Sequence, residues 1–299
     1  MPPSSYFHHM ISQRKSKRFS LDAFLKIIRP ANLLIVALAQ LMTAHFLIEN
    51  TPQGVPVLQD YNLYLIILST VILTASGYMI NDYYDVKIDY VNRPHEVVVG
   101  KGLRRRMVMI LHTSFNFIGI GLGLAVSPRI AVINFIAAFV LWLYSNTLKR
   151  QPFIGNLTVA LLGGLAIWII GYYYQTTQLY VVTYAIFAFF INLIREIIKD
   201  IEDRQGDRKH GCRTLPIVIG FRSTKKVIFA IAGLFVLSIM VVTVRVGSEL
   251  LFIYFGGLSI LFFYFMYRIY QADRKNHFTQ LSRLAKILML TGILSMAFL

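Results

Sequence analysis

The sequence predicts an all-α membrane protein, a bundle of about nine transmembrane helices around a central cavity that opens near the cytoplasmic face. Apolar residues make up 56% of the 299 residues and charged residues only 15%, whereas soluble domains have roughly 45–50% apolar residues. The apolar residues form runs of about 20, the length that a helix needs to cross the hydrocarbon core. Short alternating strands, the pattern of a membrane β-barrel, are absent.

The chain divides into a polar start and one membrane domain. Residues 1–28 are predicted to form a basic cytoplasmic arm that ends in a short interfacial helix at 21–28, because Pro30 disfavours continuation. No cleavable signal peptide is expected, since the first 21 residues lack a long apolar core. Residues 29–299 form a single transmembrane domain. The predicted spans are 30–48, 62–82, 107–127, 129–147, 153–173, 179–198, 225–245, 250–271 and 281–299.

Positive charge is distributed asymmetrically between the two sides of these spans. Of the 30 lysines and arginines, all but Arg129 and Arg245 belong to one side. The positive-inside rule assigns that side to the cytoplasm and the carboxyl terminus to the outside of the cell membrane. The net charge of +16 therefore reflects topology, and we expect neither nucleic-acid binding nor an obligate protein partner.

Two groups of aspartates share one spacing, and each lies at the cytoplasmic end of a predicted span. The first ladder is Asp82, Asp85 and Asp89, and the second ladder is Asp200, Asp203 and Asp207. At about 100° per residue, each ladder occupies roughly 60° of one helix face. Carboxylates this close repel each other unless a cation lies between them. The two ladders predict one shared Mg²⁺ site, because Mg²⁺ binds one or two carboxylates together with substrate phosphates.

Basic residues near the ladders indicate that the substrate carries a diphosphate. Lys149 and Arg150 follow the fourth span, and Arg93 and Arg213 follow the two ladders, where they can neutralise a diphosphate. A diphosphate head at the membrane surface with an apolar tail between helices describes a prenyl diphosphate. The sequence contains no nucleotide-binding glycine loop and no zinc-type spacing, and its one cysteine, Cys212, excludes an intrachain disulfide.

Four stretches together form a recognisable set. They are Asn81-Asp82-x-x-Asp85-x-x-x-Asp89, Asp203-x-x-Gly206-Asp207, Tyr144-Ser145 with Leu148-Lys149-Arg150, and Arg29-Pro30-x-Asn32. This set resembles the signatures of the UbiA superfamily of intramembrane prenyltransferases, and the resemblance covers nearly the whole chain. The stretch from Arg195 to Asp203 looks most like the digeranylgeranylglyceryl phosphate synthase branch.

The resemblance implies roles for individual residues. Two Mg²⁺ ions are expected on Asn81, Asp82, Asp85, Asp89, Asp200, Asp203 and Asp207. Asp85, Asp203 and Lys149 are expected to carry catalysis. Substrate contacts are expected from Asn32, Arg93, Tyr144, Lys149, Arg150, Arg208, Lys209 and Arg213, and the acceptor's phosphate is assigned to Arg195, Arg208, Lys209 and Arg213. Tyr83, Tyr84 and Tyr144 are candidates to stabilise an allylic cation.

One departure and two alternatives remain open. Many relatives have an arginine where this chain has Glu96, so Arg93 or Lys101 is expected to replace it. The branch implies a geranylgeranyl diphosphate donor and a geranylgeranylglyceryl phosphate acceptor. The alternative within the family is an aromatic acceptor of quinone or haem biosynthesis. A polytopic transporter is less favoured, because the charges gather at the cytoplasmic helix ends and not near the bilayer midplane.

Overall fold

The computed structural model describes residues 20–48, 56–175 and 179–298, and these residues form helices joined by turns, without a β-strand. The helices are α1 (Leu21–Ile28), α2 (Pro30–Leu47), α3 (Tyr61–Asn92), α4 (Arg105–Val126), α5 (Pro128–Asn146), α6 (Ile154–Tyr173), α7 (Leu179–Lys209), α8 (Leu215–Val218), α9 (Phe221–Val246), α10 (Glu249–Gln271) and α11 (Lys275–Leu294). Within these residues, nine helices are long and apolar enough to cross a membrane, which confirms the predicted fold class.

Three helices extend six or more residues beyond one end of their predicted spans. Helices α3 and α7 continue through the two ladders to Asn92 and Lys209, whereas the predicted spans end at 82 and 198. The apolar signal stops where the aspartates begin, but proline and left-handed glycine, which end helices, come only at Pro94 and Gly211. Each ladder is therefore a helical face. Helix α11 begins at Lys275 and not at 281, because its first turns are polar but contain no helix breaker.

The long helices α3 and α7 hold the bundle together. Helix α3 packs along α4 and α5, α7 packs along α6, α9 and α11, and α3 and α7 also contact each other. The predicted helix at 21–28 is present as α1, and Ala23 and Ile27 on its inner face pack against Met79 and Val98. This small cluster holds the loop that follows the first ladder. The basic segment that precedes residue 20 lies outside the described residues.

Candidate active site

The two ladders meet at the same end of the bundle. Asn92, the last residue of α3, donates to the Asp203 carbonyl at 2.9 Å and accepts from the Gly206 amide at 2.8 Å. The Arg93 guanidinium donates to both carboxylate oxygens of Asp203, at 2.9 and 3.0 Å. A Cβ at residue 206 would lie 2.5 Å from the Asn92 amide, so only glycine permits this approach. The structure thus brings the ladders together, as the shared-site hypothesis requires.

Arg29 neutralises the start of the first ladder. Its guanidinium donates to Asp82 Oδ1 at 2.6 Å. Arg29 lies between α1 and α2 with φ of 54°, a left-handed conformation that is costly for a residue other than glycine. Burial lowers the pKa of Arg29, but the negative charges of Asp82, Asp89 and Glu196, together with Tyr78, outweigh burial and raise it above its ordinary value. The sequence indicates Arg29 only as part of the Arg29-Pro30-x-Asn32 motif, and its ion pair with Asp82 is visible only in the structure.

Lys149 lies between the ladders. It belongs to the short 3₁₀ turn Leu148–Arg150, and its ammonium forms an ion pair with Asp85 and donates to Asn81 Oδ1 at 3.2 Å. Asn81 in turn donates to Asp85 Oδ2 at 3.0 Å. Burial lowers the pKa of Lys149 to about 8, against the opposing charges of Asp207 and Asp203. The ammonium is therefore charged near neutral pH and faces both ladders.

Arg93 lies where a substitute for the arginine that many relatives have at position 96 is expected to lie. Burial lowers its pKa, but the charges of Asp203, Glu202 and Glu96 outweigh burial and raise it. Glu96, which stands in the arginine's place, therefore helps to keep Arg93 charged. Lys101 instead donates to the Pro94 carbonyl at 2.8 Å and is exposed. In the described part of the chain, Arg93 is the one of the two predicted replacements that contacts a ladder aspartate.

The remaining ladder carboxylates differ in their partners. Asp200 accepts from Asn156 at 2.8 Å, a contact that the sequence did not reveal. In the described part of the chain, the carboxylates of Asp89 and Asp207 have no side-chain hydrogen bond or ion pair. Asp89 is close enough to Asp82 and Asp203 for mutual repulsion. These two carboxylates are the ones that remain available for a cation.

The donor set fits Mg²⁺ only in combination with a substrate. Over residues 20–48, 56–175 and 179–298, no three His, Cys, Asp or Glu side chains form a group that could hold a metal ion by themselves. The ladders offer only oxygen donors, and Mg²⁺ needs just one or two carboxylates when phosphate oxygens complete its coordination. A diphosphate between the ladders would supply those oxygens. The seven-residue ligand set therefore stays a prediction.

Two cavities extend from this end of the bundle into its apolar interior. The smaller cavity, of about 200 Å³, is bounded by α2, α3, α5, α6 and α7, and Asn81 and Tyr144 line it. The larger cavity, of about 470 Å³, is bounded mainly by α2, α7, α9, α10 and α11. They share a wall that includes Asn32, Tyr78 and Arg195. Asn32 and Tyr144 are thus placed where a substrate chain is expected.

The other predicted substrate contacts lie farther out. Arg150 and Arg213 are exposed, and the Arg213 amide donates to the Arg150 carbonyl at 2.8 Å, which joins the 3₁₀ turn to the loop after α7. Arg208 and Lys209 are exposed and line a separate depression with Phe221. These residues line neither interior cavity.

Two of the three aromatic candidates also lie away from the cavities. Tyr83 and Tyr84 form an edge-to-face pair, and the Arg105 guanidinium lies 4.5 Å from the centre of the Tyr83 ring. Neither tyrosine lines the smaller or the larger cavity, whereas Tyr144 lines the smaller one. Tyr144 is therefore the tyrosine of the three that is placed to face a substrate chain.

The sequence and the fold of this chain are similar to those of known proteins. The sequence profile of the UbiA prenyltransferase family matches residues 33–289. A digeranylgeranylglyceryl phosphate synthase of Methanosphaera stadtmanae is 31% identical over 281 residues, which cover 93% of this chain and 98% of the relative. One of Thermococcus gammatolerans is 35% identical over 210 residues, 68% of this chain and 71% of the relative.

Solved structures share the fold. A structure of a digeranylgeranylglyceryl phosphate synthase has a TM-score of 0.69 at 23% identity and covers 92% of this chain and 96% of its own. A UbiA homologue from Archaeoglobus fulgidus bound to DMAPP and Mg²⁺ has a TM-score of 0.66 at 18% identity, over 92% of this chain and 99% of its own. With the profile match and the nine apolar helices, the chain belongs to the UbiA prenyltransferase family and is an integral membrane prenyltransferase.

Proposed function

We propose that the protein transfers a geranylgeranyl group from geranylgeranyl diphosphate to geranylgeranylglyceryl phosphate, in a reaction that depends on Mg²⁺. The observation that carries this proposal is the convergence of the two ladders, through Arg93 and Asn92, beside two apolar cavities. An enzyme that joins two lipids needs one polar centre for the leaving group and room for two chains. The relatives named digeranylgeranylglyceryl phosphate synthase support the choice of substrates.

The charge pattern around the ladders suits a diphosphate. Lys149, Arg93 and Arg29 are all held near aspartates, so the site combines fixed cations with carboxylates that lack a side-chain partner. Mg²⁺, when bound, supplies Lewis-acid stabilisation of the departing diphosphate. Lys149 is placed to stabilise the same developing charge, because its ammonium lies between the two ladders.

The transfer itself is balanced without any further reactant. The bond between C1 of the prenyl chain and the diphosphate oxygen breaks, and its electron pair stays with the diphosphate. The acceptor's hydroxyl oxygen bonds to C1, and its proton leaves with the diphosphate. Tyr144 lines the smaller cavity and presents an aromatic side chain to the allylic cation. Apolar cavity walls keep water from quenching that cation.

The test is a product analysis with the purified full-length protein and Mg²⁺. Geranylgeranyl diphosphate and geranylgeranylglyceryl phosphate should give a double-chain ether, which mass spectrometry identifies. Shorter prenyl diphosphates and the acceptors 4-hydroxybenzoate and dihydroxynaphthoate complete the panel. Prenylation of an aromatic acid, without reaction at the glycerol ether, would overturn the proposed acceptor and leave family membership intact.

A further inference from the structure

Two cationic side chains face the larger cavity. Arg195 of α7 and Lys286 of α11 belong to its lining, together with the amides of Asn32 and Asn192. The described residues that line this cavity include no aspartate or glutamate. Its other walls are mostly apolar, so two positive charges face a space of low polarity. Such charges are costly unless an anion accompanies them.

Arg195 has an incomplete set of partners. Its Nη1 donates to Glu196 Oε1 at 2.8 Å, but its Nε is buried and has no hydrogen-bond partner. A buried donor without a partner is uncommon and calls for an acceptor that a ligand can supply. Arg195 lines both cavities, so this residue belongs to their common wall.

Lys286 is surrounded by charges of its own sign. Across the described residues it forms no ion pair with a carboxylate. Its repelling neighbours are Arg195, Lys199, Arg29 and Arg283. It lies about three turns inside α11, a helix long and apolar enough to span the membrane. An ionisable residue inside a membrane helix usually marks a ligand or ion site.

The rest of the larger cavity suits a hydrocarbon chain. Lys286 and Ile293, both in the cavity lining, lie seven positions apart in α11, which is about 10 Å along the helix axis. Phe187, Phe235 and Phe255 form a cluster of edge-to-face rings along this length. Val244 and Phe252 also line the cavity but are exposed on the outer surface of the bundle, so the cavity reaches the lipid-facing side. An amphiphile with an anionic head fits this combination.

We propose that the larger cavity is the acceptor site, and that Arg195 and Lys286 bind the phosphate of the acceptor lipid. This inference rests on the proposed function, because it takes the acceptor to be a prenylated glycerophosphate. It reassigns the acceptor's phosphate from the exposed Arg208 and Lys209 to the cavity cations. The smaller cavity, which Asn81 of the first ladder lines, then receives the chain of the prenyl diphosphate.

The test compares two acceptors in the full-length protein: geranylgeranylglyceryl phosphate and geranylgeranylglycerol, which lacks the phosphate. In Lys286→Gln, KM for the phosphorylated acceptor should rise about tenfold or more, because a charge-assisted hydrogen bond is lost. KM for geranylgeranyl diphosphate should change by less than about twofold, and the preference for the phosphorylated acceptor should shrink accordingly. Lys286→Arg should restore most of the lost affinity.

The matched control is Arg283→Gln, which removes a cation one turn away on α11 that is exposed and lines neither cavity. It should raise neither KM value, because it removes a charge that repels Lys286 and none that faces the cavity. A second readout is thermal stabilisation of the protein by the phosphorylated acceptor without donor, which Lys286→Gln should reduce. This readout requires no turnover, so it also applies to a slow variant.

Each outcome bears on a different claim. If the wild type makes no ether, the proposed function fails. If the wild type makes the ether but Lys286→Gln keeps its acceptor KM, the inference fails alone. A rise confined to KM for the prenyl diphosphate would assign the larger cavity to the donor and overturn the inference. A rise in acceptor KM only in the double variant Arg208→Gln, Lys209→Gln would return the phosphate to the surface depression.

Discussion

Asp85 and Lys149 form an ion pair in which both side chains are largely buried. Asp85 is 5% exposed, so its carboxylate is stable as an anion only beside a cation. Lys149 supplies that cation and, in the proposed reaction, faces the departing diphosphate. Asp203 holds the corresponding place on the second ladder, where Arg93 binds both of its oxygens. The two aspartates predicted as catalytic are thus each paired with one cation, as Asp82 is with Arg29.

We expect Asp85→Ala and Asp203→Ala each to lower kcat at least ~100-fold, because each removes a group that positions a cation against the leaving diphosphate. Steady-state turnover measures this loss. Gel filtration and thermal unfolding in detergent should show that the variants remain folded. The control is Asp273→Ala, which removes an exposed aspartate that lines neither interior cavity. Turnover near the wild-type rate in either ladder variant would contradict the assignment.

The extended ends of α3 and α7 determine how the ladders face each other. Asn92 joins the two helices through the Asp203 carbonyl and the Gly206 amide. Lys275, at the start of α11, also donates to the Asn92 carbonyl. Asn92 therefore connects three helices, α3, α7 and α11, through its side chain and its backbone carbonyl. The hydrogen bonds of Asn92 therefore help to set the distance between the two ladders, in addition to the contacts that the aspartates themselves make.

Because Asn92 and Gly206 are in contact, substitutions at these two residues should have non-additive effects on stability and activity. Gly206→Ala should lower both activity and the melting temperature, because its Cβ would lie 2.5 Å from the Asn92 amide. In the Asn92→Ala background the same change should cost much less, since the clashing side chain is gone. Thermal unfolding and turnover of the four proteins measure the coupling.

The matched control is Gly233→Ala in α9, where an added Cβ meets no atom within 4 Å. It should be neutral, or stabilising by about 0.5–1 kcal/mol because alanine favours the helix. Equal losses from Gly206→Ala with and without Asn92 would contradict the proposed contact.

For the whole molecule, the two ladders lie on one side of the membrane. The hydrogen bonds between Arg93 and Asp203 leave no room for a bilayer between the loops that follow α3 and α7. Nine helices of the described chain are long and apolar enough to cross the membrane, and this odd number predicts that the two ends of the bundle lie on opposite sides. The asymmetry of lysine and arginine predicts which side is cytoplasmic.

Reporter fusions test this topology. Tags inserted at Gly100 and Gly211, both exposed and in loops, should be cytoplasmic, and a reporter fused after Leu299 should be outside. Protease accessibility in sealed vesicles measures the side of each tag. Tags at Gly100 and Gly211 on opposite faces would rule out a shared site. Both tags outside would reverse the predicted orientation.

We expect Mg²⁺ to bind to the site together with the prenyl diphosphate substrate. Arg29, Lys149 and Arg93 already compensate three ladder carboxylates, so Mg²⁺ alone should raise the melting temperature little. Mg²⁺ with a prenyl diphosphate should raise it clearly, because binding to the folded state alone stabilises that state. Excess EDTA should abolish turnover without unfolding the protein. Full activity in EDTA would contradict the proposed metal chemistry.

The sequence by itself determined the features that depend on nearby residues. Span length and charge asymmetry are local quantities, so the nine spans followed from counting apolar residues and bases. The ladders were visible because helical periodicity places residues three and four apart on one face. The helix ends at Asn92 and Lys209 were not predicted, because a polar helical turn has no hydropathy signal.

Only the tertiary structure decided which distant residues meet. The pairs Arg29–Asp82, Asn156–Asp200 and Asn92–Gly206 join positions separated by 44 to 114 residues. Such pairs depend on the rotation and depth of each helix against its neighbours, which packing sets and periodicity within one helix cannot specify. For the same reason Lys286, counted from sequence as one of many cytoplasmic bases, proves to face an interior cavity, whereas Arg208 and Lys209 lie outside it.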